Sequence, residues 1–156
     1  MASLPTPKEV SDALTMLLRR NVKATATQLK PATIRMAGLY GSGNDSPTIA
    51  ACMADLNFAA FSGAAFSMIP PDAAKDCIKS NELDEMMQDN FGEVLNVFSR
   101  LFGEQDNKRI LLQNKVFPPN ALPDQASQSL SAGNQKLDLE LDIDGYGKGV
   151  IAMRLM

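Results

Sequence analysis

Residues 83–102 carry apolar side chains at the three- and four-residue steps of an α-helix, and a run of this length leaves the chain little choice of local structure. At ~100° per residue, Met87, Phe91, Val94, Phe98, Leu101 and Phe102 gather on one side, with Leu95 on its border. A helix of this kind needs a broad apolar surface to lie against, and the rest of the chain must supply it. Gly103 supplies the stop, since glycine enters the left-handed conformation at a helix end without a Cβ penalty. Asp89, Glu93 and Asn96 fall within an arc of roughly 60° on the opposite side, so two carboxylates and an amide form a row over two turns. Gly92 lies at the edge of that outward face. A glycine inside a helix costs ~1 kcal/mol relative to alanine, so its place suits a close approach, either by a packed element of this chain or by a docking partner.

The flanking sequence predicts what this helix packs on. In "TPKE", Thr6 fits the N-cap, Pro7 the first helical position and Glu9 the third position of a capping box; Val10, Ala13, Leu14, Leu17 and Leu18 then give a first helix an apolar face, ending near Asn21. Residues 22–40 turn β-branched and alternating, with Pro31 at a break or an edge. "GSGNDSP" is a turn cluster. The Walker lysine is missing and no acid follows at dinucleotide-binding spacing, so it reads as a hairpin loop and not as a phosphate cradle. "TIAACMADLN" and "FAAFSGAAFSMI" read as two adjacent buried strands, and Ala59, Ala60, Gly63, Ala64 and Ala65 allow close packing against them. "DAAKDCIKS" reads as a short helix, "KRILLQNKVFPP" as a strand with a proline stop, and residues 119–135 as a polar, mobile loop. The end of the chain reads as strand–turn–strand. Glu140, Asp142, Asp144 and Gly145 mimic the start of a calcium loop, but the twelfth position is Ile151, and the acids alternate with Leu139, Leu141 and Ile143. The pattern predicts an α+β fold, a mainly antiparallel sheet packed with two long helices, in a single domain of residues 1–156.

Composition narrows the chemistry more than the fold. A chain of 156 residues with 45% apolar and 21% charged residues can bury a sizeable core. Its net charge of −3 argues against nucleic acid or an anionic membrane as partner. The N-terminal sequence lacks the cationic and apolar segments of a secretory signal, and no run approaches the ~18 apolar residues of a membrane span. Cys52 and Cys77 form no framework of spacings and read as free thiols of a reducing cytosol. The absence of histidine removes Ser–His and Cys–His nucleophilic pairs and most zinc sites. On these grounds alone the row on the long helix is either a solvated stripe or part of a site that a partner completes.

Asp89-x3-Glu93-x2-Asn96 resembles the (Asp/Ser)-x3-Glu-x2-Asn motif of the CheC/CheX/FliY phosphatases of bacterial chemotaxis, and from about residue 48 to residue 156 the order of elements resembles that family as well. The resemblance implies a cytoplasmic phosphatase acting on a phosphorylated CheY-like response regulator. Asn96 and Glu93 are the implied catalytic residues, Asn96 orienting the attacking water and Glu93 pairing with a basic group of the regulator. Asp89 and Gly92 are the implied partner-binding residues. No cofactor is expected on this chain, and magnesium is expected on the partner regulator. Glu9 and Asp12 in the first helix do not complete a second motif, so the chain resembles the single-motif, CheX-like members most, and Arg100 shares the motif face. A homodimer is compatible with the family. The alternative is a non-catalytic binding module of the same fold, docking on a response regulator or a flagellar-switch component.

Overall fold

Thr6 Oγ1 accepts from the Glu9 amide at 3.1 Å while the Glu9 carboxylate accepts from the Thr6 amide at 3.0 Å. This reciprocal cap starts α1 (Pro7–Leu18), which ends at a left-handed Arg19. The computed structural model describes residues 2–105, 107–131 and 135–156. After α1 come β1 (Val22–Ala26), a 3-10 turn (Pro31–Thr33), β2 (Ile34–Gly41), β3 (Ala50–Asp55), α2 (Leu56–Phe66), α3 (Pro71–Ser80) and α4 (Glu85–Leu101). The short strands β4 (Glu104–Gln105) and β5 (Lys108–Arg109) lead into β6 (Leu111–Val116), α5 (Asp124–Ser129), β7 (Lys136–Ile143) and β8 (Gly147–Leu155).

Six strands form one antiparallel sheet in the order β1-β7-β8-β3-β2-β6. The expected α+β architecture therefore holds, with α2 joining α1 and α4 in the helical layer. Strand alternation sends Met36, Tyr40, Cys52, Ala54, Ile151 and Met153 into the main core, and sends Ala37, Leu39, Ala51, Met53 and Ala152 into a smaller cluster with Ala126 and Leu130. Burial on both faces explains why "AACMA" reads as an unbroken apolar run. "GSGNDSP" is the β2–β3 hairpin loop, tied down by the Gln113 amide, which donates to the Gly43 and Ser46 carbonyls at 2.6 and 2.7 Å. In β7 the residues Leu139, Leu141 and Ile143 are buried and the acids between them half-buried, as a hairpin strand requires.

Two expectations fail for identifiable reasons. "FAAFSGAAF" is not a strand but most of helix α2. Asp55 caps it by accepting from the Phe58 amide at 2.8 Å, and of residues 56–65 only Asn57 is exposed. A helix covered on every side has no polar stripe, so its period cannot be read from hydrophobicity. Two glycines allow the enclosure. A Cβ at Gly149 in β8 would run into the Phe58 backbone, and one at Gly63 would stand 3.3 Å from the Met87 carbonyl oxygen in α4. Residues 119–131, expected to be a mobile loop, contain α5, while residues 132–134 lie outside the described part. Ala126 and Leu130 are buried one turn apart against the sheet. Arg154, 1% exposed, donates to the carbonyls of Ser129 (2.7 Å) and Leu130 (3.3 Å) and to the Asp138 carboxylate (2.6 Å), fixing the end of α5. Among the described residues no helix is long and apolar enough to cross a membrane.

Gly149→Ala should lower the unfolding free energy by about 3 kcal/mol or more, because helix backbone cannot yield to the new methyl. Gly43→Ala meets only Ser46 Oγ at 3.5 Å and should stay within ~0.5 kcal/mol of wild type in the same urea titration.

Asp55 also accepts from the Val150 amide at 3.1 Å, and burial pushes its carboxyl above the ordinary aspartate range in spite of both hydrogen bonds. The folded protein then holds this proton more tightly than the unfolded chain. That contribution is complete below the ordinary value of 3.8 and is lost as the pH rises through the raised one. Asp55→Asn keeps an acceptor without the charge, so wild type should lose stability relative to it between acid and neutral pH. Asp55→Ala leaves two amides without their acceptor and should lose about 1–2 kcal/mol, read by urea unfolding.

Candidate functional site

Helix α4 starts where Asp84 accepts from the Met87 amide at 2.8 Å and is released at Gly103, whose φ is +79°. Met87, Phe91, Val94, Leu95, Phe98 and Phe102 are buried and Leu101 is half-buried, so the predicted apolar face is the packed one. Three contacts fix its rotation. The Tyr40 hydroxyl donates to the Leu95 carbonyl at 2.6 Å, Asn90 Nδ2 donates to the Gly63 carbonyl at 3.0 Å, and the Phe91 ring meets Phe58 edge-on at 5.9 Å. Burial raises the Tyr40 hydroxyl well above its ordinary pKa, so it remains a neutral donor.

With that face pinned, Asp89, Glu93 and Asn96 are exposed, and Arg100 continues the row. The side chains of Glu93 and Asn96 make no hydrogen bond or ion pair among the described residues; the Asn96 carbonyl accepts from the Ser99 hydroxyl at 2.6 Å. Glu93 and Asn96 open into a shallow depression of about 390 Å³, closed by Leu17 of α1, Arg100, and the segment carrying Arg109 and Leu111.

Gly92 is buried, and this chain covers it. Lys115 lies opposite Gly38 in the β2–β6 ladder and runs over the helix. A Cβ at position 92 would stand 3.1 Å from Lys115 Cδ and 2.9 Å from its Nζ. Gly92 lies one turn from both Asp89 and Asn96, so the ammonium rests beside the motif row, and it makes no ion pair among the described residues. A partner reaches the Gly92 backbone only by moving Lys115. The sequence pattern had pointed to neither Lys115 nor Arg109. Their place follows from strand pairing and from the β5–β6 approach, which local periodicity does not encode.

The row thus offers an amide that both donates and accepts, a free carboxylate, a second acid at the rim, and cations close by in Arg100, Arg109 and Lys115. Asn96 can hold a water or an anionic oxygen, and Glu93 can take a cation from another molecule. No group of three or more His, Cys, Asp or Glu side chains among the described residues is placed to hold a metal. Cys52 and Cys77 are free and buried, and burial raises both thiols, which makes them poor sources of thiolate.

No protein-family profile matches the sequence, and no curated protein matches it. Solved structures do match. A chain of the FliM–SpeE complex from H. pylori superposes with a TM-score of 0.62 at 8% identity over 96% of this chain and 80% of that one. Chemotaxis protein CheX from Vibrio vulnificus gives 0.53 at 13% identity over 96% and 95%. FliY from Thermotoga maritima gives 0.53 at 12% identity over 92% and 80%. The chain has the CheC/CheX/FliY fold. At these identities the likeness lies in the fold and not in shared side chains. The arrangement of helices on the sheet turns Asp89, Glu93 and Asn96 outward.

Gly92→Ala meets only the flexible end of Lys115, so the helix should gain up to ~1 kcal/mol while the ammonium is displaced from the row. Gly63→Ala presses on the α4 backbone instead and should lose stability. Thermal melting of the two variants in opposite directions checks both assignments.

Proposed function

We propose that this chain is a phosphatase for the aspartyl phosphate of a CheY-like response regulator, acting by insertion of the α4 row into the regulator's site. The observation that carries this reading is the state of Glu93 and Asn96, which are exposed, unpaired among the described residues, and held on a helix whose other face is locked in the core. The resemblance of the motif and the CheX-like fold support the same reading.

In this reading Asn96 holds a water in line with the phosphorus by donating to or accepting from it. The water oxygen bonds to phosphorus as the bond to the aspartyl oxygen breaks. The aspartate leaves as carboxylate, and the water's protons go to the released phosphate and solvent. Glu93 pairs with a lysine of the regulator and sets the depth of insertion, and Asp89 contacts the rim. Magnesium, which belongs to the regulator in this reading, supplies charge neutralisation at the phosphoryl oxygens. The same reading places the protein in the cytoplasm and allows a homodimer.

A non-catalytic docking module is the second reading. The FliM-containing complex has a TM-score of 0.62, and Arg100 and Arg109 crowd the depression around Asn96 with positive charge. Decay of a phosphorylated regulator, followed with and without this protein, separates the two. Wild type should accelerate decay and Asn96→Ala should lose at least tenfold of the acceleration, about 1.4 kcal/mol in the barrier, while still binding. Glu93→Ala should weaken the complex by about tenfold. No acceleration by wild type, with binding still sensitive to Glu93→Ala, leaves the docking module.

A further inference from the structure

We propose that the apolar groove between α1, the end of α2 and the last turns of α4 is a docking site for an acidic amphipathic helix of a partner protein. The groove encloses about 720 Å³. Its floor and walls include Leu17, Phe66, Val97 and Leu101, and two methionines stand at its rim: Met16 is 83% exposed and Met68 74%. Met68 also has φ +57°, in the left-handed region that a large side chain rarely adopts. The turn after α2 thus holds an apolar residue in water at a conformational cost, although glycine would meet neither penalty.

Charge selects the occupant. Arg19 and Arg100 are the charged residues lining this groove, and neither makes an ion pair among the described residues, although the chain as a whole carries −3. Two free guanidinium groups beside an apolar trough complement carboxylates flanking an apolar stripe. The trough is concave between helices, which suits a helix and not a flat bilayer, and methionine adapts its shape to the side chains it receives. The groove shares Leu17, Val97 and Arg100 with the depression that holds Glu93 and Asn96, so a bound helix lies alongside the motif row. The inference stands on the groove itself and is independent of the phosphatase reading.

The test uses the full chain with 13C-labelled methionine methyl groups. The probe is a synthetic helix-forming peptide with leucines along one face and glutamates beside them. Control probes are the same peptide with lysine replacing glutamate, and vesicles of phosphatidylcholine with phosphatidylglycerol. The glutamate peptide should shift the Met16 and Met68 signals and leave those of buried Met36, Met53 and Met87 in place. Arg19→Glu combined with Arg100→Glu should weaken its binding at least tenfold, with the buried methionine signals reporting an intact fold. Equal binding of the lysine peptide overturns the proposal. So do shifts produced by the vesicles but not by the peptide, and shifts that follow the protein's own concentration.

Discussion

The outward face of α4 depends on how closely the nearly enclosed helix α2 can approach its two neighbours. Gly149 in the sheet admits the first turn of α2, and Gly63 on the other side of α2 admits the backbone of α4. Each missing Cβ removes a side chain's thickness from the stack, and the alanines between them keep it thin. The distance of α4 from the sheet is therefore set by residues that carry no chemistry. Its rotation is set by Tyr40, Asn90 and Phe91, which bind it to β2 and α2. The outward row inherits both constraints, and a site built on a clamped helix holds its side chains more precisely than one on a loop.

The electrostatics of that row are local and mixed. Asp89 and Glu93 share the row with Arg100, while Lys115 of β6 and Arg109 of β5 reach toward it, and none of these side chains is neutralised by an ion pair among the described residues. A surface of this kind gains little for folding, since its charges remain in water. In the proposed function its use is recognition, since a partner would have to match the sequence of signs along the helix. In the proposed function the uncharged amide of Asn96 acts by position and not by charge.

Much of this was legible in the sequence where burial is one-sided. The capping box at Thr6 and Glu9, the two faces of α4, the β2–β3 hairpin loop and the alternation in β7 all follow from contrast between apolar and polar positions. Where contrast vanishes, the reading fails. Helix α2 is apolar all round and passes for a strand, since small residues packed on every side carry no period. Helix α5 fails for the opposite reason: of residues 124–130 only Ala126 and Leu130 are buried, and the rest of the segment is polar. Arg154, which fixes it, lies on a different strand. The covering of Gly92 by Lys115 was open to two readings because ladder register, not composition, brings them together.

In the proposed function the Asn96 amide meets the phosphorylated site of a response regulator. The direct measurement is the side-chain amide signal of Asn96 in 15N-labelled protein during titration with a CheY-like regulator, once unmodified and once loaded with a beryllofluoride mimic of the phosphoryl group. The loaded regulator should shift and broaden this signal strongly, and the unmodified regulator should do so weakly. An Asn96 signal that stays in place while backbone signals elsewhere report complex formation would contradict it.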